Sequence, residues 1–396
     1  MPVATTLRYE WVSEAPAFLG LRDQWNLLGS STISTIFLTH SWLASWLTEI
    51  APDAELHVLT AWDAERLVAA LPLFGSPELG RGRRWAFMGS GTLTPNHLDV
   101  IAEPGFLDEA RAEFARMLLL VADRWDTLEF NKLPADTATA EFFLDAFTRT
   151  GLSAHRDVTA ICPYCTLPAT FEEYVASLGK RGRKNLRNKL RNFEERAQTA
   201  SLSMASTKSE ALDALEALVR MHQARWTARG YPGAFADPRV VRFHRAMVNA
   251  AFDDGTLRMS VVRDGDEVVA VSYDFRIGNL MQAYLSSFDP RWDDWSPGQI
   301  VRAYIIKQAI AEGATRFDFL EGTEQYKTDW CPLRRENLRV GVFGRTLAGQ
   351  LARVGSTAET TSIRLARRWV PPKWRERTIR LLASRSASRR PEEGNA

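Results

Sequence analysis

The chain has 396 residues, 45% of them hydrophobic and 25% charged, with a formal net charge of +2. That suits two ordinary domains of a folded soluble protein, and a near-neutral total points to no polyanionic partner. Three cysteines exclude a disulfide scaffold and fit a reducing cytoplasm, and the longest apolar stretch, Met117–Ala122, is far too short to span a bilayer. Met1–Val12 has neither the basic nor the apolar region of a signal peptide.

In chain order, the spacing predicts an amphipathic helix over His40–Ile50, then a hairpin over Leu56–Phe74 that turns at Asp63-Ala64. A helix over Leu107–Arg124 and a strand over Thr127–Asn131 follow. The same order then returns. A helix over Arg239–Phe252 precedes a hairpin over Leu257–Phe275 turning at Asp264-Gly265, and a helix over Gln299–Glu312 leads into a strand over Thr315–Leu320. Asp-Gly tolerates the positive φ that a tight hairpin needs. The two hairpin segments align without gaps over nineteen residues with five identities. Together with the matching flanks they imply two similar α/β domains, residues 1–160 and 161–345, followed by a tail over 346–396. Arg353–Arg390 carries eleven Lys/Arg against two Glu.

A helical insertion, 170–254, separates the copies. Gly182–Ala197 places Leu186, Leu190, Phe193 and Ala197 on one helical face and Arg183, Lys184, Arg187 and Arg191 on others; Glu210–Arg229 carries Leu212, Leu215, Val219, His222 and Trp226 at helical spacing.

Residues 273–330 hold the densest chemistry. A strand over Leu280–Phe288 meets Asp289-Pro290, then Ser296-Pro297-Gly298 opens a helix whose buried stripe is Ile300, Val301, Tyr304, Ile305 and Ala309. Ser296 suits the N-cap and Pro297 the first turn. Such a junction is either an anion site, where free N–H groups and the helix dipole favour phosphate, or simply a capped helix. Beyond Gly313 come Arg316-Phe317-Asp318-Phe319-Leu320-Glu321-Gly322 and Thr323-Glu324-Gln325-Tyr326-Lys327. Acyl transfer needs a base, a donor to the oxyanion and an acid for the thiolate, roles that Glu324 or Glu321, Lys327 and Tyr326 would fill in that order. The alternative is that Tyr326 and Lys327 only pack and solvate a surface helix.

The combination of Leu71-Pro72-Leu73, Lys180-Arg181-Gly182-Arg183-Lys184-Asn185-Leu186-Arg187, Tyr284-Leu285-Ser286-Ser287-Phe288-Asp289-Pro290, Ser296-Pro297-Gly298, Phe317-Asp318-Phe319 and Gly322–Trp330 resembles the CelD/BcsL-like "cellulose biosynthesis" acetyltransferases. These are GNAT-superfamily proteins related to the FemAB peptidoglycan aminoacyltransferases, which also carry tandem GNAT domains. The resemblance covers roughly residues 5–345. It implies an α/β (α+β) fold of tandem GNAT-like domains, each a twisted mixed sheet flanked by helices, the first degenerate and the second catalytic. It also implies an acetyl or longer acyl-CoA donor, no metal, and an amine or hydroxyl acceptor on a polysaccharide or cell-envelope molecule. Tyr284, Ser286, Ser296, Gly298 and Gln299 would then surround the cofactor, and Asp99, Arg183, Lys184, Arg187 and Asp318 the acceptor. Lys327 follows a tyrosine as in FemAB-like enzymes and is the first catalytic candidate. The Arg/Gln-x-x-Gly-x-Gly/Ala loop of simple GNATs is absent, Ser296-Pro297-Gly298-Gln299 being nearest to it. FemAB-like enzymes take aminoacyl-tRNA, so that donor is the enzymatic alternative, and a non-catalytic tandem scaffold is the other.

Cys162-Pro163-Tyr164-Cys165 has dithiol spacing but follows a strand deep in the chain, where no thioredoxin-like unit surrounds it. His97 is placed in a loop beside Asp99, facing a cleft between domains, and His222 in a helix core. No histidine spacing suggests a metal. The basic stretches call for no nucleic acid; Arg183, Lys184 and Arg187 either clamp an anionic acceptor or form a solvated face. Trp369 and Trp374 among the tail's arginines suit peripheral contact with the inner membrane surface from the cytoplasm.

Overall fold

The computed structural model describes residues 7–78, 82–196 and 199–355. Ala197 and nearly all of the basic tail, with its membrane-facing expectation, lie outside these residues. From the N-terminus run β1 (Arg8–Val12), α1 (Ala15–Leu19), α2 (Arg22–Thr32), α3 (His40–Glu49), β2 (Glu55–Leu56), β3 (Val58–Asp63), β4 (Arg66–Leu71), β5 (Leu73–Glu78), β6 (Gly82–Phe87) and β7 (Ile101–Ala102). Next come α4 (Leu107–Leu120), β8 (Thr127–Pro134), α5 (Thr139–Thr148) and the long β9 (Ser153–Thr166). The second half comprises α6 (Phe171–Ser177), α7 (Lys180–Glu195), β10 (Ala200–Met204), α8 (Lys208–Thr227), α9 (Pro238–Asp253), β11 (Leu257–Asp264) and β12 (Glu267–Ile277). It closes with β13 (Leu280–Phe288), α10 (Pro297–Ala311), β14 (Arg316–Asp318), α11 (Gln325–Trp330) and β15 (Leu333–Phe343).

Helix starts follow local chemistry. Thr39 Oγ1 accepts the Trp42 N–H at α3, Asp237 accepts the Arg239 N–H ahead of Pro238 at α9, and Thr170 and Glu173 form a capping box at α6.

The repeated hairpins are β3–β4 and β11–β12, and they match in detail. Ala64 and Gly265, aligned in sequence, both take positive φ, 53° and 56°. Each hairpin carries a bulge at the aligned position, between Ala61 and Trp62 and between Val262 and Arg263. The copies part company at Pro72. Its ring removes a ladder N–H, and the single strand β12 of the second half is answered in the first by two, β4 and β5. β4 stays in a four-stranded sheet, β1-β3-β4-β7, while β5 joins an eleven-stranded one, β10-β11-β12-β13-β14-β9-β15-β8-β6-β5-β2.

The middle of that large sheet is exchanged between the halves. β9 lies between β14 and β15, and β15, last in sequence, lies between β9 and β8 of the first half. The division expected at residue 160 thus falls inside β9.

Aromatic packing joins α3 to α9 and β13. The fully buried Trp42 ring meets Phe37 at 4.7 Å, Phe243 at 4.9 Å and Tyr284 at 5.4 Å. His244 is sealed in the same cluster beside Phe243, Tyr273 and Tyr284, its Nδ1 without a partner. Burial pushes its imidazole from 6.5 down to about 3. The unfolded ring therefore takes up a proton that the folded ring refuses, and stability is lost as pH falls from about 6.5 towards 3. His244→Phe is expected to abolish about 1 kcal/mol of acid destabilisation per pH unit in that window, measured as urea midpoints of variant and parent at neutral and acid pH.

A buried polar seam also ties the halves. His97, at φ 57°, sets Nδ1 2.9 Å from Asn337 Oδ1 and Nε2 3.0 Å from Asp318 Oδ2. Asn337 Nδ2 donates to Asn96 Oδ1, and Gln282 bonds both Thr35 Oγ1 and the Ile36 N–H. Burial would raise the Asp318 carboxyl, but His97 and the Leu320 N–H hold it below the usual range. His97 thus belongs to the seam and does not face an open cleft. Among the described residues no helix is long and apolar enough to cross a membrane.

Candidate active site

β13 and β14 run parallel for three residue pairs only, Leu280–Gln282 against Arg316–Asp318, and then diverge. The fork opens a cavity of about 500 Å³ lined by Tyr284 and Ser286 from β13, Gln299 and Arg302 from α10, Tyr326 and Lys327 from α11, and His222, Arg225 and Trp226 from α8. Ser296, Gly298 and Glu324 line it too, so eight of the fourteen residues singled out from the sequence meet here.

The mouth at α10 differs from expectation. Ser296 is left-handed (φ 58°) and its hydroxyl caps no helical N–H; instead it lies 2.8 Å from Lys189 Nζ, which donates to it. The N–H groups of Gln299 and Ile300 both return to Ser296 O, and Pro297 has none, which leaves Gly298 N–H as the donor of the first turn without a backbone partner. Lys189, on α7, adds a positive charge at this mouth to that of the helix end. Burial pushes the Lys189 ammonium down.

Lys327 is 8% exposed. Its Nζ donates to Glu321 O at 2.5 Å and stands 3.5 Å from Glu324 Oε2. Burial pushes its ammonium below the ordinary lysine range, with Glu324 opposing and Arg302 assisting. Tyr326 is 44% exposed and edge-on to Phe319. Desolvation pushes its phenol up against the opposing charge of Arg302, so the group keeps its proton at neutral pH.

The turn ahead of α11 makes this geometry possible. Gly322 sits at φ 148°, and a Cβ there would lie 2.3 Å from Lys327 Nζ and 2.1 Å from Glu324 Oε2. Gly322→Ala is therefore expected to displace the ammonium and reduce turnover about as far as loss of Lys327 itself, with a kinetic assay beside a melting curve as the check.

The remaining residues singled out lie elsewhere. Glu321 turns away from the fork and pairs at 2.6 Å with Lys132 of β8. Asp99 is half-buried in the first half, where it accepts from Thr139 Oγ1 and the Val100 N–H; desolvation pushes its carboxyl up. Asp318 is held by the seam. Arg183, Lys184 and Arg187 lie on α7, whose Lys180, Arg181 and Asn185 line a second cavity of about 1040 Å³. Gln299, Tyr326 and Trp330 line both cavities. Of the cysteines, Cys165 is joined to Cys331, Cα atoms 4.7 Å apart, at the far end of α11. Cys162 stays a buried thiol, its pKa pushed up by burial, which removes the dithiol pairing and a reactive thiolate together.

Residues 180–328 match the family described as Acetyltransferase (GNAT) domain. Among solved structures, FemX aligns with a TM-score of 0.60 at 10% identity, over 88% of this chain and 99% of that one. The L-PGS structure from Bacillus licheniformis gives 0.51 at 11% identity over 84% and 94%, and a C-terminal DUF2156 domain from Agrobacterium fabrum 0.51 at 10% over 87% and 96%. The fold is GNAT-like. At these identities the likeness is one of fold. No curated protein matches the chain. In this GNAT-like frame the matched stretch runs from α7 to Lys327 and holds the fork's lining except Trp330.

The sequence reading missed Arg302, Lys189 and the α8 trio. His222, assigned to a helix core, is half-buried and lines the fork. A signal existed for Arg302, a charge between Val301 and Ala303 in an otherwise apolar helical stripe.

Proposed function

We propose that this chain is an acyltransferase that passes an acetyl or longer acyl group from a coenzyme A thioester directly to an amine or hydroxyl. The observation that carries this is the fork: a parallel strand pair that opens after three residue pairs, with a cationic helix mouth at one side and a buried lysine at the other. A phosphate-bearing donor suits the mouth at Gly298 and Lys189, and its acyl arm would run along β13 past Tyr284 and Ser286. The acceptor nucleophile attacks the thioester carbonyl, giving its proton to Glu324. Lys327 faces the oxyanion, and on collapse the C–S bond breaks and the thiolate takes a proton from Tyr326. Cys162, buried and with its thiol pushed up by that burial, has no part in it.

In this reading the second half is catalytic and the first is a degenerate copy. β6 and β8 repeat the parallel pairing over three residue pairs, but beyond it Lys132 O accepts the Leu98 N–H, and the chain itself occupies β8. The acceptor is a polysaccharide or cell-envelope molecule in the CelD/BcsL-like manner, met at the cytoplasmic side of the membrane.

Aminoacyl-tRNA as donor is the second reading. The basic start of α7 along the larger cavity favours it, and so does the likeness to FemX.

Calorimetric titration with acetyl-CoA, longer acyl-CoAs and aminoacyl-tRNA separates the two. Saturable acyl-CoA binding is expected. Binding of aminoacyl-tRNA alone would replace the donor, and folded protein that binds neither would leave a scaffold role.

A further inference from the structure

Two guanidinium groups are buried among the described residues, those of Arg111 and Arg302. Arg111 has Asp108 at 3.5 Å and bonds Thr139. Arg302, 6% exposed in the second turn of α10, has no carboxylate within ion-pair range among the described residues. Its Nη2 donates to Ser286 Oγ at 2.9 Å and its guanidinium carbon lies 4.9 Å from the Phe319 ring centre. Its other two nitrogens are not among the sealed, unpartnered polar atoms, and the residue lines the fork cavity. A buried cation left without a counter-charge is costly, and a fold keeps one where a ligand supplies the anion.

We propose that the fork holds a carboxylate against Arg302, borne either by the transferred acyl group or by the acceptor. This rests on the acyl-transfer reading. A planar carboxylate matches the two donor edges that Ser286 leaves, and Phe319 beneath the guanidinium fixes its plane. The charge belongs in the fork because Arg302 lines it together with Ser286 and Lys327. The competing acid is Asp274, on β12, whose carboxyl feels the Arg302 charge. Its Oδ2 is taken by Ser272 and its Oδ1 has no partner. Burial raises its carboxyl to about 7 despite Arg302, so at neutral pH it carries its charge only part of the time and neutralises Arg302 incompletely. Glu324 is engaged by Lys327.

The test compares ligands that differ at the carboxylate. The full chain is titrated with succinyl-CoA against butyryl-CoA, and separately with alanine against alaninamide. Each pair is repeated with Arg302→Gln and with Arg302→Lys, circular dichroism confirming the fold. The expected result is at least a tenfold preference for the carboxylate member of one pair, lost in Arg302→Gln and partly kept in Arg302→Lys. Preference in the CoA pair puts the charge on the acyl group; preference in the amino-acid pair puts it on the acceptor. No preference in either pair, or one that both variants leave intact, overturns the proposal. If no CoA species binds at all, the acyl-CoA reading falls, and the carboxylate site is judged on the amino-acid pair alone.

Discussion

Lys327→Ala is expected to lower kcat by about a hundred- to a thousand-fold, the usual loss when one donor to a developing oxyanion is removed. The ammonium is buried, held by a backbone carbonyl at 2.5 Å, and set in the fork with Tyr326 and Glu324. A surface lysine solvating a short helix would show no such loss. The pH profile distinguishes the role. Because burial lowers this lysine below its ordinary range, activity that needs the cation should fall with rising pH before pH 10.5. Lys327→Arg, whose charge persists above pH 12, should push that alkaline limb upward even if its bulk costs turnover. An unchanged limb in the arginine variant would remove Lys327 from the charge-bearing role.

Trp42→Ala should be the most destabilising single substitution in the shared core, by about 3–5 kcal/mol. Its ring is fully buried and bridges the halves, touching Phe37 on its own side and Phe243, Phe275 and Tyr284 on the other. Its Nε1 has no hydrogen-bond partner, so Trp42→Phe discards an unsatisfied donor along with volume and should recover most of the loss. Urea unfolding of the parent and both variants, with the slope of the transition compared, measures this. A loss below about 1 kcal/mol for the alanine variant would mean that the aromatic cluster is not the joint between the halves. Tyr284 belongs both to that cluster and to the fork wall, so Trp42→Ala should also weaken ligand binding.

What could be read from the sequence was local. The hairpins announced themselves through Asp63 and Asp264 at their turns, and the helices through apolar spacing, because each signal lies within a few residues. Tyr284, Ser286, Gln299, Tyr326 and Lys327 were found together because one continuous stretch of chain supplies them. Arg225 and Trp226 arrive from an earlier helix and Lys189 from another, and no local pattern marks side chains that meet only after folding. Ser296 misled because cap chemistry was read without its backbone, which is left-handed. Asp99, Asp318 and Glu321 have the residue type of a binding carboxylate, but Thr139, His97 and Lys132 satisfy them structurally. The exchange of β9 and β15 left no trace in composition or period, since a strand's apolar pattern does not say which partner it will find.

That exchange decides when the molecule can be finished. A nascent chain that has just emitted β8 still lacks the neighbour for that strand's far edge, because Pro134 pairs with Asn337 and Thr127 with Phe343. Until the ribosome has released nearly everything described, one flank of the N-terminal half waits as an open strand edge, the kind of surface that recruits wrong partners. Separately expressed halves cut near residue 160 should each be poorly soluble and should regain structure when co-expressed. Shortening the chain ahead of residue 343 would harm the half that is made first.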